Sequence, residues 1–272
     1  MPRIRTQILV LIMAFAFWLL PGYSDTTNIT TAAELSEIQR RGYLIVAVKD
    51  NLPPLGFTDA SGKLQGLEID LAKALATELL GSPEAIKLQP VANRDRLPQV
   101  LDHKVDLAIA RVTATEPRAR LVSFSIPYYF DGTRLITKDS SVQKLTDLGQ
   151  KKIAVLNHSS TIATVRYYLP QAKLVGVDSY QQARSLLESK AAIAFAADSS
   201  VLTGWVQQYP QYRLLALRLS TEPLSVVMPK GLQYEPLRRR INNAIARYLQ
   251  QGWLQQRIQY WGLPSSQLNI SQ

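Results

Sequence analysis

The chain has 272 residues, 46% of them hydrophobic, a formal net charge of +10 and no cysteine. That length supports one large core or two smaller ones, and the missing thiols exclude disulfides, thiolate metal centres, cysteine nucleophiles and a lipidated N-terminal cysteine. The positive balance does not argue for nucleic acid, because the bases are mostly interleaved with acids; the one dense cluster, Arg238-Arg239-Arg240, reads as a solvated helix face, with contact to anionic headgroups or a membrane partner as the sharper alternative.

Residues 1–24 have the layout of a secretory signal peptide. Arg3 and Arg5 make a basic start, Ile8 to Leu20 is an unbroken apolar run of 13 residues, and Pro21-Gly22-Tyr23-Ser24 is a turn-prone exit. Such a run spans about 20 Å as helix, short of the roughly 30 Å hydrocarbon core; an uncleaved anchor is the alternative. Removing this segment lowers the formal charge by two, to +8.

Beyond it, Leu35 and Ile38 predict a short helix over 31–40, with Gly42 past its end. Residues 43–48 read as a strand stopping at Asp50-Asn51, and Pro53-Pro54 break regular structure. A hairpin turn is expected at 59–62. Gly66 opens a helix reaching about residue 80, with Leu71, Leu75 and Leu79 in one stripe, Glu68 and Asp70 where the helix dipole favours acids, and Gly81 at its end. A strand over 86–89, a short helix over 97–101 and an apolar strand over 105–110 follow, then a Thr-rich turn at 112–115 and a helical turn carrying Arg118.

Residues 132–137 read as an extended crossing segment. Strands are then expected at 151–156, 173–177, 191–197, 213–217 and 224–228, and helices reaching about 168 and over 180–188, 199–208, 236–250 and 253–261. Continuous apolar strands alternating with helices imply an α/β architecture with mostly parallel sheets covered on both faces. That pattern does not separate one large sheet from two lobes. The two histidines, His103 and His158, are far apart, and no metal spacing, phosphate loop or nucleophile elbow occurs, so no metal or cofactor is expected.

The stretch 94–129 carries the chemistry. Its strand ends in hydroxyls and exposed N–H groups, with Arg118 one helical turn on, and N–H donors with a forked guanidinium suit a carboxylate. Thr115 is placed to N-cap the Arg118 turn, with Pro117 tolerated early in it. Asp198 follows Ala-Ile-Ala-Phe-Ala-Ala, at the carboxyl end of an expected strand, where open α/β sheets bind ligands; the plainer role is to cap the next helix. Ser159 and Ser160 lie between a strand and a helix, placed either to cradle a carboxylate or simply to cap.

The run from Arg94 to Tyr129, with Gly66-Leu67-Glu68-Ile69-Asp70-Leu71-Ala72, resembles the bacterial extracellular solute-binding proteins of family 3, the polar amino-acid receptors of ABC importers. The resemblance covers roughly 31–262. It implies the type II periplasmic-binding-protein fold: two α/β lobes joined by two hinge strands, with the ligand in the cleft. Applied here, lobe one is 30–130 plus 222–272, lobe two is 131–221, and the crossings fall near 130–134 and 220–223. It implies that Arg118 holds the ligand carboxylate with Thr113, that Asp198 holds the ammonium, that Ser159 and Ser160 complete the cradle, and that Asp50 reads the side chain. Three positions depart from the pattern: His158 stands where glycine is usual, Leu52-Pro53-Pro54-Leu55 replaces an aromatic wall, and Arg111 replaces a small residue. A second arginine in the cleft favours an acidic amino acid; the plainer reading turns Arg111 away to pair with Glu68 or Glu116. The resemblance therefore implies a non-enzymatic periplasmic monomer working with an inner-membrane permease. Its rivals are a cyclohexadienyl-dehydratase-like enzyme, using Asp50 or Glu68 as acid, and a sensor docking to a membrane kinase.

Overall fold

The computed structural model describes residues 34–157 and 159–265. The expected signal peptide, the start of the first expected helix and the His158 departure lie outside the described residues.

Two five-stranded sheets form the two halves of the molecule. The first runs β5 (Ile86–Pro90), β1 (Leu44–Val48), β6 (Leu107–Ile109), β15 (Val227–Met228), β7 (Ser123–Phe124). The second runs β11 (Lys173–Val177), β10 (Lys152–Leu156), β12 (Ala194–Asp198), β9 (Thr133–Thr137), β13 (Arg213–Leu214). In each, four strands run one way and one, β15 or β9, runs against them, so two of the four pairings are parallel and two antiparallel. Four of five strands share a direction, as the reading of mostly parallel sheets expects, but the reversed strand sits inside each sheet and makes half the pairings antiparallel. The segment read as a crossing is instead β9, an interior strand of the second sheet, and it pairs along its length with β12.

The sheets are joined by a separate two-stranded ribbon. In it β8 (Tyr129–Asp131) pairs antiparallel with β14 (Glu222–Leu224), so Asp131 faces Glu222 and Tyr129 faces Leu224. The stretch read as one strand over 224–228 is therefore two: its first residue belongs to the ribbon and its end to the first sheet. A three-stranded hairpin, β2 (Asn51–Leu52), β3 (Gly56–Thr58) and β4 (Leu64–Gln65), stands on the first half. Its turn is fixed by Asp59, whose Oδ1 accepts the N–H groups of Ser61 at 2.8 Å and Lys63 at 3.0 Å.

Helices cover both sheets. α1 (Leu35–Arg41), α2 (Leu67–Leu80), α3 (Arg96–Leu101), α8 (Glu235–Gln250) and α9 (Trp253–Tyr260) pack around the first; the short α4 (Glu116–Ala119) follows β6. The second is flanked by α5 (Thr161–Tyr168), α6 (Tyr180–Glu188) and α7 (Ser199–Gln208). The expected stripe of α2 is buried in full: Leu71 and Leu75 are inaccessible and Leu79 nearly so. It packs with Val46, Val48, Leu107, Leu237, Ile241 and Ile258 in one core. Ile153, Val155, Val165 and Ala196 make the corresponding core of the second half. Each such large aliphatic side chain contributes ~1.5–3 kcal/mol on burial. Two separately cored halves joined by a thin ribbon leave a cleft between them, at the carboxyl ends of β6 and β12.

Candidate functional site

The cleft is built from the ends of those two strands. β6 runs out through buried Ala110 to Arg111, whose backbone adopts the left-handed region at φ +49°. Three contacts hold it in that conformation. Its N–H donates to Glu68 Oε1 at 2.7 Å, and Arg96 Nη1 donates to the carbonyls of Arg111 at 2.6 Å and Ala110 at 2.9 Å. The side chain is thereby aimed across the cleft, where its guanidinium pairs with the Asp198 carboxylate at the end of β12. The sequence left open whether Arg111 enters the cleft or pairs with Glu68 or Glu116. In the structure its guanidinium enters, and Glu68 meets only its N–H. Burial disfavours the charge on Arg111, but Asp198 and Asp131 outweigh it and hold the guanidinium ionised.

Glu68 is the buried node beneath. It is fully inaccessible, and its Oε1 also accepts the Tyr128 hydroxyl at 2.6 Å while Oε2 has no partner. Burial pushes its carboxyl above the usual range, against the Tyr128 and Arg111 hydrogen bonds. Burial, with Arg111 and Arg118 close by, pushes the Arg96 guanidinium down to about 10.

Arg118, on α4, is half-buried and donates from Nη1 to the Thr113 carbonyl at 2.9 Å. Thr113 is in turn bridged to Leu224 of the ribbon. This hydrogen bond is the only one the Arg118 guanidinium makes among the described residues, so most of its donors are uncommitted. Thr115 occupies the N-cap position of α4 in extended conformation, but its side chain makes no capping bond. Asp198 likewise precedes α7 without capping it by its side chain; its carboxylate is given to Arg111 instead.

On the second half, Ser159 Oγ accepts the Thr161 N–H at 3.1 Å at the start of α5, while Ser160 makes no side-chain cap bond. Asp50 lies in a half-buried bend after β1, where its carbonyl accepts the Thr58 N–H at 2.8 Å. Among the described residues, no hydrogen bond or ion pair joins Asp50, Ser159 or Ser160 to Arg111, Arg118 or Asp198.

Three groups near the pair escaped sequence reasoning. Asp131 is buried and accepts the Ser200 N–H at 3.0 Å and the Ser200 hydroxyl; burial and Asp198 push its carboxyl up. Glu222, opposite it on β14, is pushed up by burial, then by Asp198 and Asp131. Tyr180, at the head of α6, is pushed up by burial, with Arg111 acting against it. An aspartate directly after Tyr128-Tyr129-Phe130 was the available sign of a buried acid.

Between the two halves lies a cavity of about 460 Å³, with Asn51, Leu52 and Pro53 on one side and Tyr180, Arg184, Gly204, Trp205 and Tyr209 on the other. Its aromatic side chains come from α6, α7 and the residue just past α7, not from the 52–55 loop.

Two α/β halves meeting over a charged cleft define the class: this is the two-lobed, type II periplasmic-binding-protein fold. The model of the bacterial extracellular solute-binding proteins, family 3, matches residues 44–264, and the chain belongs to that family. It is 32% identical over 208 residues to the glutamine-binding protein of Geobacillus stearothermophilus, covering 75% of this chain and 79% of that one. It superposes on the solute receptor for L-cysteine of Neisseria gonorrhoeae with a TM-score of 0.68 at 27% identity, over 85% of this chain and 94% of that one. An ancestral amino acid-binding protein, described as a precursor of cyclohexadienyl dehydratase, gives a TM-score of 0.67 at 27% identity, over 84% and 99%.

Proposed function

We propose that this protein is the periplasmic, non-enzymatic receptor of an amino-acid ABC importer, exported by its N-terminal segment. It closes two lobes, 30–130 plus 222–272 and 131–221, on a polar amino acid with an acidic side chain. One observation carries the reading: Arg111 and Asp198 meet across the cleft. An acid at a strand end, facing the opposite lobe, is where a ligand's ammonium is wanted. When the ammonium takes Asp198, the released Arg111 needs another anion, and a second carboxylate on the ligand supplies it. A neutral amino acid leaves that guanidinium unpaired, a state that is costly away from water. Arg118 brings uncommitted donors for the α-carboxylate, with Thr113 holding its far side. Ser159 and Ser160 reach the same group from the second lobe on closure.

Closure follows from differential contact: the ligand touches both lobes only when they are shut, and so shifts the population. A few charge-assisted hydrogen bonds of roughly 1.5–3 kcal/mol each reach micromolar affinity, about −8 kcal/mol. The closed form is what the permease recognises.

Calorimetric titration of refolded protein with L-glutamate, L-aspartate, L-glutamine and L-arginine tests this. Tight binding of an acidic amino acid with little response to arginine is expected. The dehydratase reading has one observation in its favour, the buried and raised carboxyl of Glu68 beside the cleft. Turnover of prephenate by the same sample would establish it in place of the receptor.

A further inference from the structure

Gly204 is the sixth of ten residues in α7, in the interior of a helix, where glycine is a poor choice because it adds backbone entropy without side-chain packing. Its surroundings supply a reason. A Cβ built on Gly204 would overlap the carbonyl oxygen of Pro53, with the Pro53 carbonyl carbon 3.0 Å away. Pro53 belongs to the opposite lobe, in the loop between β2 and β3.

That loop is firmly held to its own lobe. The next carbonyl, of Pro54, accepts the Leu67 N–H at 3.1 Å, and that of Leu55 accepts the Glu68 N–H at 2.8 Å at the start of α2. Leu55 itself is fully buried. One turn along α7, on the same face, Gln207 Nε2 donates to the Trp261 carbonyl at 3.0 Å. Trp261 is tied into the first lobe by its indole N–H, which donates to Asp70 Oδ2 at 2.8 Å. The face of α7 that carries residues 204 and 207 therefore meets two anchored segments of the other lobe.

We propose that Gly204 is the seat of lobe closure: its bare Cα lets the Pro53 carbonyl come to rest on α7, and any side chain there holds the lobes apart. Gly204 borders the cavity between the lobes, but the role assigned to it here is not a ligand contact. It is a positioning residue that acts through the closed-state equilibrium. Opening the cleft relieves the overlap entirely, so the same substitution leaves the open form unharmed and improves its helix.

The experiment compares wild type, Gly204→Ala and Gly204→Leu by small-angle scattering, without ligand and with saturating L-glutamate, and by thermal unfolding. The expected result is a compact wild-type population, a larger radius of gyration in Gly204→Ala and a larger one still in Gly204→Leu. The ligand-free melting temperature of Gly204→Ala should equal or exceed that of wild type, and its glutamate affinity should fall at least tenfold. Loss of packing alone would lower the melting temperature without opening the lobes. The proposal is overturned if Gly204→Ala scatters like wild type, if it melts lower, or if wild type is never compact. It does not depend on the ligand's identity. Expansion of the variants without any glutamate binding would sink the acidic-ligand reading and keep this one, whereas equal glutamate affinity and equal scattering would do the reverse.

Discussion

Arg111 and Asp198, 87 residues apart in the chain, form an ion pair that bridges the two lobes. The arginine side chain is 20% exposed and the aspartate 16%, so neither is well hydrated. In this arrangement the cleft charges are paired with each other, so on the proposed reading an ammonium reaches Asp198 by exchange with Arg111. Arg111→Ala then has two consequences. Asp198 is freed for an ammonium, and the cation awaiting a second carboxylate is lost. Titration of the variant should show L-glutamate weakened by ~2–5 kcal/mol, as for truncation of a buried charge partner, with L-glutamine affected far less. Equal losses for the two ligands would contradict the exchange.

Arg118 differs in having one hydrogen bond, to the Thr113 carbonyl, and a half-exposed position on a four-residue helix. Its removal should cost stability only what one such bond contributes, about 0.5–1.5 kcal/mol. Affinity should fall by ~2–5 kcal/mol, because a carboxylate loses its forked partner. Urea unfolding and calorimetry on Arg118→Ala separate the two effects. Unchanged affinity would remove Arg118 from the site.

Much of the architecture was legible because its elements are long and periodic. The stripe Leu71, Leu75, Leu79 is buried as spaced, and Pro236 opens α8 as its position implies. Strand partnership was not legible. An apolar extended run carries no mark of whether its neighbour is parallel, so β9 read as a crossing, and residues 222–228 change sheets without a local sign. The positions of Arg118 and Asp198 in the fold were legible, since each was expected just beyond an apolar strand and lies there, on α4 after β6 and at the end of β12. The direction of Arg111 was not, since it is set by Arg96 and Glu68 gripping its backbone from 15 and 43 residues away. Glu68 satisfied a helix dipole on paper, and only packing shows it buried.

The ribbon that joins the lobes holds two opposed acids, Asp131 on β8 and Glu222 on β14. Burial raises both carboxyls, and Asp198 adds to each. A carboxyl whose folded value is raised binds its proton more tightly in the native state than in the unfolded chain. Its stabilising contribution is therefore complete below the unfolded value, near 4.3 for glutamate, and is lost as pH rises through the native one. Glu222→Gln removes that loss. The variant should match wild type near pH 4 and exceed it at pH 7, giving a flatter stability profile in urea titrations across that range. A constant offset at all pH values would mean that Glu222 acts by shape rather than by charge.

Gly132 sits where the ribbon enters the second sheet, at φ +150°. Its carbonyl accepts the Ser199 N–H at 2.7 Å, and the adjoining Thr133 N–H donates to Ser220 Oγ at 2.8 Å. The two crossing segments are thus clasped against each other, and a Cβ on Gly132 would overlap the Ser220 carbonyl, its carbon 2.6 Å away. Unlike the contact at Gly204, this one lies within the hinge itself and is not relieved by opening the cleft. Gly132→Ala should accordingly destabilise the ligand-free protein, by roughly 1–3 kcal/mol for a backbone held in a disfavoured region, and by more if Ser220 must move. Thermal and urea unfolding of the two alanine variants side by side check the distinction: Gly132→Ala loses stability, while Gly204→Ala loses closure. A Gly132→Ala protein as stable as wild type would show that the crossing has room to yield.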